Sequence, residues 1–178
     1  MGKILTIITP KDKRLTAENK LVQKFDTKLH QIIEDMCETL NAQTDPQGVG
    51  LAAPQVGINL RCFIIKPTPE SPISTFINPQ ILETSYAIKK SSHKKNLPLE
   101  GCLSLNNIWG PVDRADRVLL SYFTVNGEKK TEWFSGFKAV IIQHEVDHLS
   151  GVLFTQRSLE QKKHLYEEVD GKLEKLGI

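Results

Sequence analysis

Apolar residues along this chain recur with two different periods, and the change of period marks its elements. Over residues 17–41, Val22, Phe25, Leu29, Ile32, Ile33, Met36 and Leu40 return at three- and four-residue steps. That spacing predicts an amphipathic helix with one stripe facing a core. Asp45-Pro46-Gln47-Gly48 breaks it. From 60 to 88 the pattern shortens to that of strands: Arg61–Ile65, Phe76-Ile77 and the run Ile81–Ile88, with Pro67 and Pro69 as a stop. Residues 89–98 are basic, polar and aperiodic, and read as an exposed loop that includes His93. Arg117–Val125 and Lys129–Phe134 alternate apolar and polar residues across Asn126-Gly127, a strong hairpin signal. Gly136 opens a second helix, on which Phe137, Val140, Ile141, His144 and His148 fall on one stripe, and Gly151 suits its end. Residues 158–176 read as a last amphipathic helix, weakened by Gly171. The fold class that follows is α+β: one domain over 1–178, with short antiparallel sheets packed around a central helix and helices at both ends.

Composition narrows this picture without redirecting it. A chain of 178 residues can bury a sizeable core. A net charge of +2 gives no argument for nucleic-acid binding, and no apolar run approaches the length of a membrane span. The N-terminal stretch lacks the order of a secretory signal. An odd number of cysteines, Cys37, Cys62 and Cys102, does not suggest a disulfide framework. The expectation is therefore a cytoplasmic protein with at least one free thiol.

The candidate chemistry lies on the second helix, in His144-Glu145-Val146-Asp147-His148. Histidines four residues apart share a helix face, so both imidazoles reach one metal ion, while Glu145 can take a proton from water at that ion. A catalytic site of this kind needs a third protein ligand and an open position. Leu149–Arg157 contains no Asp, Glu or His, which points upstream. Cys102, in Glu100-Gly101-Cys102-Leu103-Ser104, is the best upstream candidate, since a thiolate is a strong ligand for borderline metals. Taken alone, such a cysteine reads more readily as a small core residue.

Three motifs in this order, Gly48-Val-Gly-Leu-Ala-Ala-Pro-Gln55, Glu100-Gly-Cys-Leu-Ser104 and Gln143-His-Glu-Val-Asp-His148, resemble the peptide deformylase family. The likeness extends to Glu34–Thr39, Ile77-Asn-Pro79 and Leu149–Phe154, and so covers essentially the whole chain. It implies that Cys102, His144 and His148 bind one divalent metal ion, usually Fe2+, with Zn2+, Ni2+ or Co2+ able to replace it. It implies that Glu145 is the general base, and that the Gln55 side-chain amide and the Leu103 backbone N–H hold the oxyanion. Gly50 and Val49 would lie along the substrate. Val140 and Ile141, one turn before His144, could line a methionine pocket, although packing explains them equally well. The implied substrate is the formyl-methionine end of a nascent polypeptide, which makes the ribosome a candidate partner; the balanced charge of residues 158–178 gives that no support. Nucleic acid and membrane are not expected as partners.

Two departures stand out. The stretch between Pro79 and Glu100 is longer than the family's common form. After the cysteine motif the chain reads Leu105-Asn-Asn-Ile-Trp-Gly-Pro-Val-Asp-Arg114, where Trp109 either touches the peptide beyond methionine or caps the core. Arg114 resembles a family arginine that pairs with Glu100. Two other readings use the same residues: a zinc endopeptidase, with a carboxylate or histidine third ligand, and a non-catalytic domain with a closed structural metal site.

Overall fold

The computed structural model describes residues 2–86 and 98–177. The expected loop 89–98 therefore lies outside the described residues except for Pro98. Three helices and two antiparallel sheets make up the rest, confirming the α+β class. In chain order they are α1 (Thr27–Asn41), β1 (Gly50–Ala52), β2 (Cys62–Ile65), β3 (Ser74–Ser85), β4 (Leu99–Cys102), β5 (Leu105–Pro111), β6 (Arg117–Phe123), β7 (Lys129–Ser135), α2 (Phe137–Leu149), α3 (Phe154–Glu160), β8 (Tyr166–Val169) and β9 (Lys172–Lys175). The larger sheet runs in the order β1-β2-β3-β6-β7 and the smaller in the order β4-β5-β8-β9.

α2 carries the HExxH residues and sits between these layers. Ala139, Ile141, Ile142 and Leu149 on this helix join Phe63, Ile65, Phe76, Val118 and Leu120 of the larger sheet in one buried cluster. Phe63 and Phe76 stack there with ring centroids 4.8 Å apart. On the other side of β1 and β2, Leu29, Ile33, Met36 and Leu40 of α1 pack on Leu51, Cys62 and Ile64. The β6–β7 hairpin forms as expected, with Arg117 opposite Ser135 and Phe123 opposite Lys129.

Two expected boundaries are corrected. The first helix starts at Thr27, not at residue 17, with the Asp26 side chain accepting from Leu29 N at 3.1 Å as its N-cap. The preceding stretch is extended because distant groups hold its backbone: Asn78 Oδ1 accepts from Val22 N at 2.8 Å, and Asn78 Nδ2 donates to Val22 O at 2.9 Å. Val22 still reaches the core, but from an extended strand-like segment.

The expected C-terminal helix over 158–176 is also wrong. α3 ends at Glu160, and the chain turns back as the β8–β9 hairpin. Val169 pairs with Lys172 across Asp170-Gly171, whose φ angles are 50° and 73°. Two consecutive left-handed residues make the tight two-residue turn that an Asp-Gly pair favours. Its strand β8 then pairs with β5, with Trp109 opposite Tyr166.

Candidate metal centre and its cavity

The site is assembled where the smaller sheet meets α2. Cys102 ends β4 and pairs with Leu105, so Leu103-Ser104 form a tight turn that presents the thiol at the strand's end. His144, Glu145 and His148 come from the buried face of α2. Gln143, just before them, ties that helix to the segment after β5. It donates to Ala115 O at 3.0 Å and accepts from Ala115 N at 3.0 Å. Gln55 enters from the 3-10 turn Ala53–Val56 that follows β1. Its Oε1 accepts from Ala52 N at 2.8 Å, which aims Nε2 at Cys102 Sγ, 3.4 Å away.

The donor set fits a single metal ion. One ligand atom each from Cys102, His144 and His148 lies within 4.8 Å of the others. Cys102 Sγ and His148 Nε2 are 3.2 Å apart. Glu100 Oε2 accepts from His144 Nδ1 at 2.9 Å, which leaves Nε2 of that ring as the ligating atom. A thiolate with two imidazoles suits a borderline divalent ion and leaves a fourth position open.

Electrostatics around this centre are set by burial and by one charge chain. Arg114 donates to both oxygens of Glu100, at 2.8 and 3.0 Å, and to Asp147 Oδ2 at 2.6 Å. Arg157 donates to the other oxygen of Asp147 at 2.7 Å. Burial alone would raise Glu100, but hydrogen bonds from His144 and Arg114 hold it at about 2. Glu145 is different: burial lifts it to about 7. It is 3% exposed, and its Oε2 has no protein hydrogen-bond partner among the described residues. Burial would also lower His144, yet its hydrogen bonds to Cys102 and Glu100 carry it well above the ordinary imidazole value. Burial, with the charges of His144 and Arg114, pushes His148 well below it.

Nine of the ten residues singled out from sequence share one cavity of about 300 Å³: Val49, Gly50, Gln55, Cys102, Leu103, Val140, Ile141, His144 and Glu145. His148, the tenth, is 1% exposed and sits behind them. That volume matches a small-ligand site. Gly50 faces the carboxylate, and a Cβ there would collide with Glu145 Oε1 and stand 2.9 Å from Ile141 Cγ2. The Glu100–Arg114 pair forms as expected. Sequence reasoning missed Asp147 and Arg157 as its continuation, although Asp147 lies inside the HExxH stretch. It also missed Phe137, which shares the α2 stripe yet is 57% exposed at the cavity. Trp109 lines the cavity wall.

Comparison with known proteins agrees with this geometry. A sequence model described as polypeptide deformylase matches residues 4–164. Peptide deformylase from Dictyoglomus turgidum is 39% identical over 150 residues, covering 84% of this chain and 90% of that protein. The crystal structure of peptide deformylase from Thermotoga maritima is 37% identical with a TM-score of 0.74, covering 86% of this chain and 97% of that one. A class I type b peptide deformylase from Acinetobacter baumannii, solved with Met-Ala-Ser bound, is 35% identical with a TM-score of 0.75, covering 88% and 99%. With most of its length matched by both sequence and fold, the chain belongs to the polypeptide deformylase family.

Proposed function

We propose that this chain removes the formyl group from the N-terminal formyl-methionine of newly made polypeptides, with residues 1–178 acting as one catalytic unit. The observation that carries this reading is the meeting, at one cavity, of a Cys-His-His donor set and a buried carboxylate whose Oε2 has no protein hydrogen-bond partner among the described residues. Relatives named for this activity, and one solved with Met-Ala-Ser bound, support it.

Cys102, His144 and His148 would hold one divalent ion, with Fe2+ as the physiological choice and Zn2+, Ni2+ or Co2+ able to replace it. When bound, such an ion supplies the Lewis acidity that makes water a competent nucleophile near neutral pH. Glu145 takes the proton of the attacking water and passes it to the departing amine. Its elevated value of about 7 suits a group that must both accept and release a proton at neutral pH. The Gln55 Nε2 amide and the Leu103 backbone N–H stabilise negative charge as it grows on the formyl oxygen. Glu100 orients His144 through Nδ1, and Arg114 orients Glu100. The methionine side chain packs on Val49, Val140 and Ile141, and Gly50 lets the peptide backbone run close beside Glu145. The substrate places the work in the cytoplasm on nascent chains at the ribosome. Among the described residues no helix is long and apolar enough to cross a membrane.

The test is a comparison of three peptides of one sequence, carrying formyl, acetyl or free amino ends. Formate release from the formyl peptide alone is expected. Cleavage of an internal peptide bond instead would favour the endopeptidase reading.

A further inference from the structure

The family match ends at residue 164, and the β8–β9 hairpin begins beyond it, at Tyr166. It is nonetheless joined to the metal-site strands at three levels. Its strand β8 hydrogen-bonds along β5. Leu165 and Leu176, which flank it, pack with Cys102, Leu105 and Ile108 around Val112 and Phe154 in one small apolar cluster. Thirdly, Glu168 Oε2 accepts from the indole Nε1 of Trp109 at 2.9 Å.

That last contact follows from register. Trp109 stands directly opposite Tyr166, and Glu168, two residues further along β8, shares the face of Tyr166. A diagonal pair of this kind lies within reach of long side chains. The bond fixes the rotation of a large flat ring. The ring lies against Gly101, where an added Cβ would stand 2.7 Å from Trp109 Cζ3. Trp109 and Gly101 line the cavity, whereas Glu168 does not. Glu168 therefore acts on the cavity from behind its wall.

We propose that the C-terminal hairpin is a working part of the peptide site: Glu168 is a positioning residue that sets Trp109 in the cavity wall, and the indole grips the peptide beyond its first residue. This rests on the deformylase reading of the same cavity. An indole face offers apolar area with little conformational freedom to lose, and only if the ring is held. Methionine itself is served by the α2 side of the cavity, so the loss of Glu168 acts on the longer peptide.

The experiment compares formyl-methionine amide with formyl-Met-Ala-Ser in the full-length, metal-loaded protein. Glu168→Ala raises KM for the tripeptide by about two- to tenfold, the usual net worth of one hydrogen bond. KM for the amide and kcat for both substrates stay at wild-type values. Glu168→Gln, which keeps a carbonyl acceptor, restores the tripeptide KM. Trp109→Ala shows the same KM change, and adding Glu168→Ala to it has no further effect. The emission of Trp109, read in a Trp133→Phe background, shifts on Glu168→Ala without any turnover being needed. Equal losses on both substrates, a Glu168→Gln variant as impaired as Glu168→Ala, or additive effects with Trp109→Ala would overturn the proposal. Unchanged Trp109 emission would overturn the hairpin contact itself, whichever way turnover falls. No formate from either substrate with wild-type protein would overturn the deformylase reading instead.

Discussion

In the proposed reaction, Glu145 is the residue on which the chemistry turns. Its carboxylate is buried, raised to about 7 and lacks a protein partner for Oε2 among the described residues, while the three donors beside it can hold a metal without it. Glu145→Gln is therefore expected to keep one metal per chain and to lose about 10²–10⁴-fold in kcat, the usual worth of a positioned acid–base group. Metal analysis beside formate assays checks both halves. Gln55→Ala should lose about 10²–10³-fold in kcat with the fold intact, as expected for one donor at a developing oxyanion. Gly50→Ala should impair turnover more than stability-matched changes elsewhere in β1, because its methyl group would displace the Glu145 carboxylate; a variant with wild-type kcat would contradict that contact. Much of this was legible from residues alone. His144, Glu145 and His148 are bound together by helix spacing, and Cys102 was reached by asking where a third ligand could lie. The raised state of Glu145 was not legible, since burial is a property of the packed layers around α2.

Among the elements, α2 and the β4–β5 turn are held in mutual position by the Glu100–Arg114–Asp147–Arg157 chain. The Arg114, Glu100 and Asp147 side chains in it are about one-tenth exposed. Arg114→Met leaves the buried Glu100 without its guanidinium partner, while Asp147 keeps Arg157; breaking a buried pair in this way typically costs about 3–5 kcal/mol. Urea unfolding would read this as a lower midpoint with an unchanged slope. The same chain sets an acid limit. Glu100 sits at about 2 in the folded protein against an ordinary value of 4.5, so its contribution is fully present above pH 4.5. It is lost as pH falls from there towards 2. Folded wild-type protein should therefore lose more stability across this window than Glu100→Gln, by thermal melts at stepped pH. At this scale legibility divides by range. The β6–β7 hairpin and α2 depend on neighbours in sequence, and their patterns announced them. The stretch before α1 is pinned by Asn78, far along the chain, so local periodicity overran the Asp26 cap. In the C-terminal hairpin the Asp170-Gly171 turn was visible in sequence, but a helical reading of residues 158–176 hid it.

At the scale of the whole molecule, the candidate metal site joins the two sheets through α2. Cys102 comes from the smaller sheet, Gln55 follows β1 of the larger, and the histidines belong to the helix between them. Binding to the folded state alone stabilises it by mass action, about 2.7 kcal/mol when free metal stands at a hundred times its dissociation constant. Removing metal with a chelator should lower Tm in the wild type, and should lower it much less in Cys102→Ser, which is expected to bind metal more weakly. The family likeness was visible from three ordered motifs because each serves this shared centre. The Trp109–Glu168 contact was not, because Glu168 lies on a strand that sequence periodicity had made a helix.

The most direct test of the central claim is formate release from a formyl-methionine peptide by protein purified without oxygen, before and after chelation and after metal return. The account predicts release that disappears with the chelator, returns with Fe2+, Ni2+ or Co2+, and stays near background in metal-loaded Glu145→Gln. No release from folded, metal-loaded wild-type protein, or wild-type rates in Glu145→Gln, would contradict it.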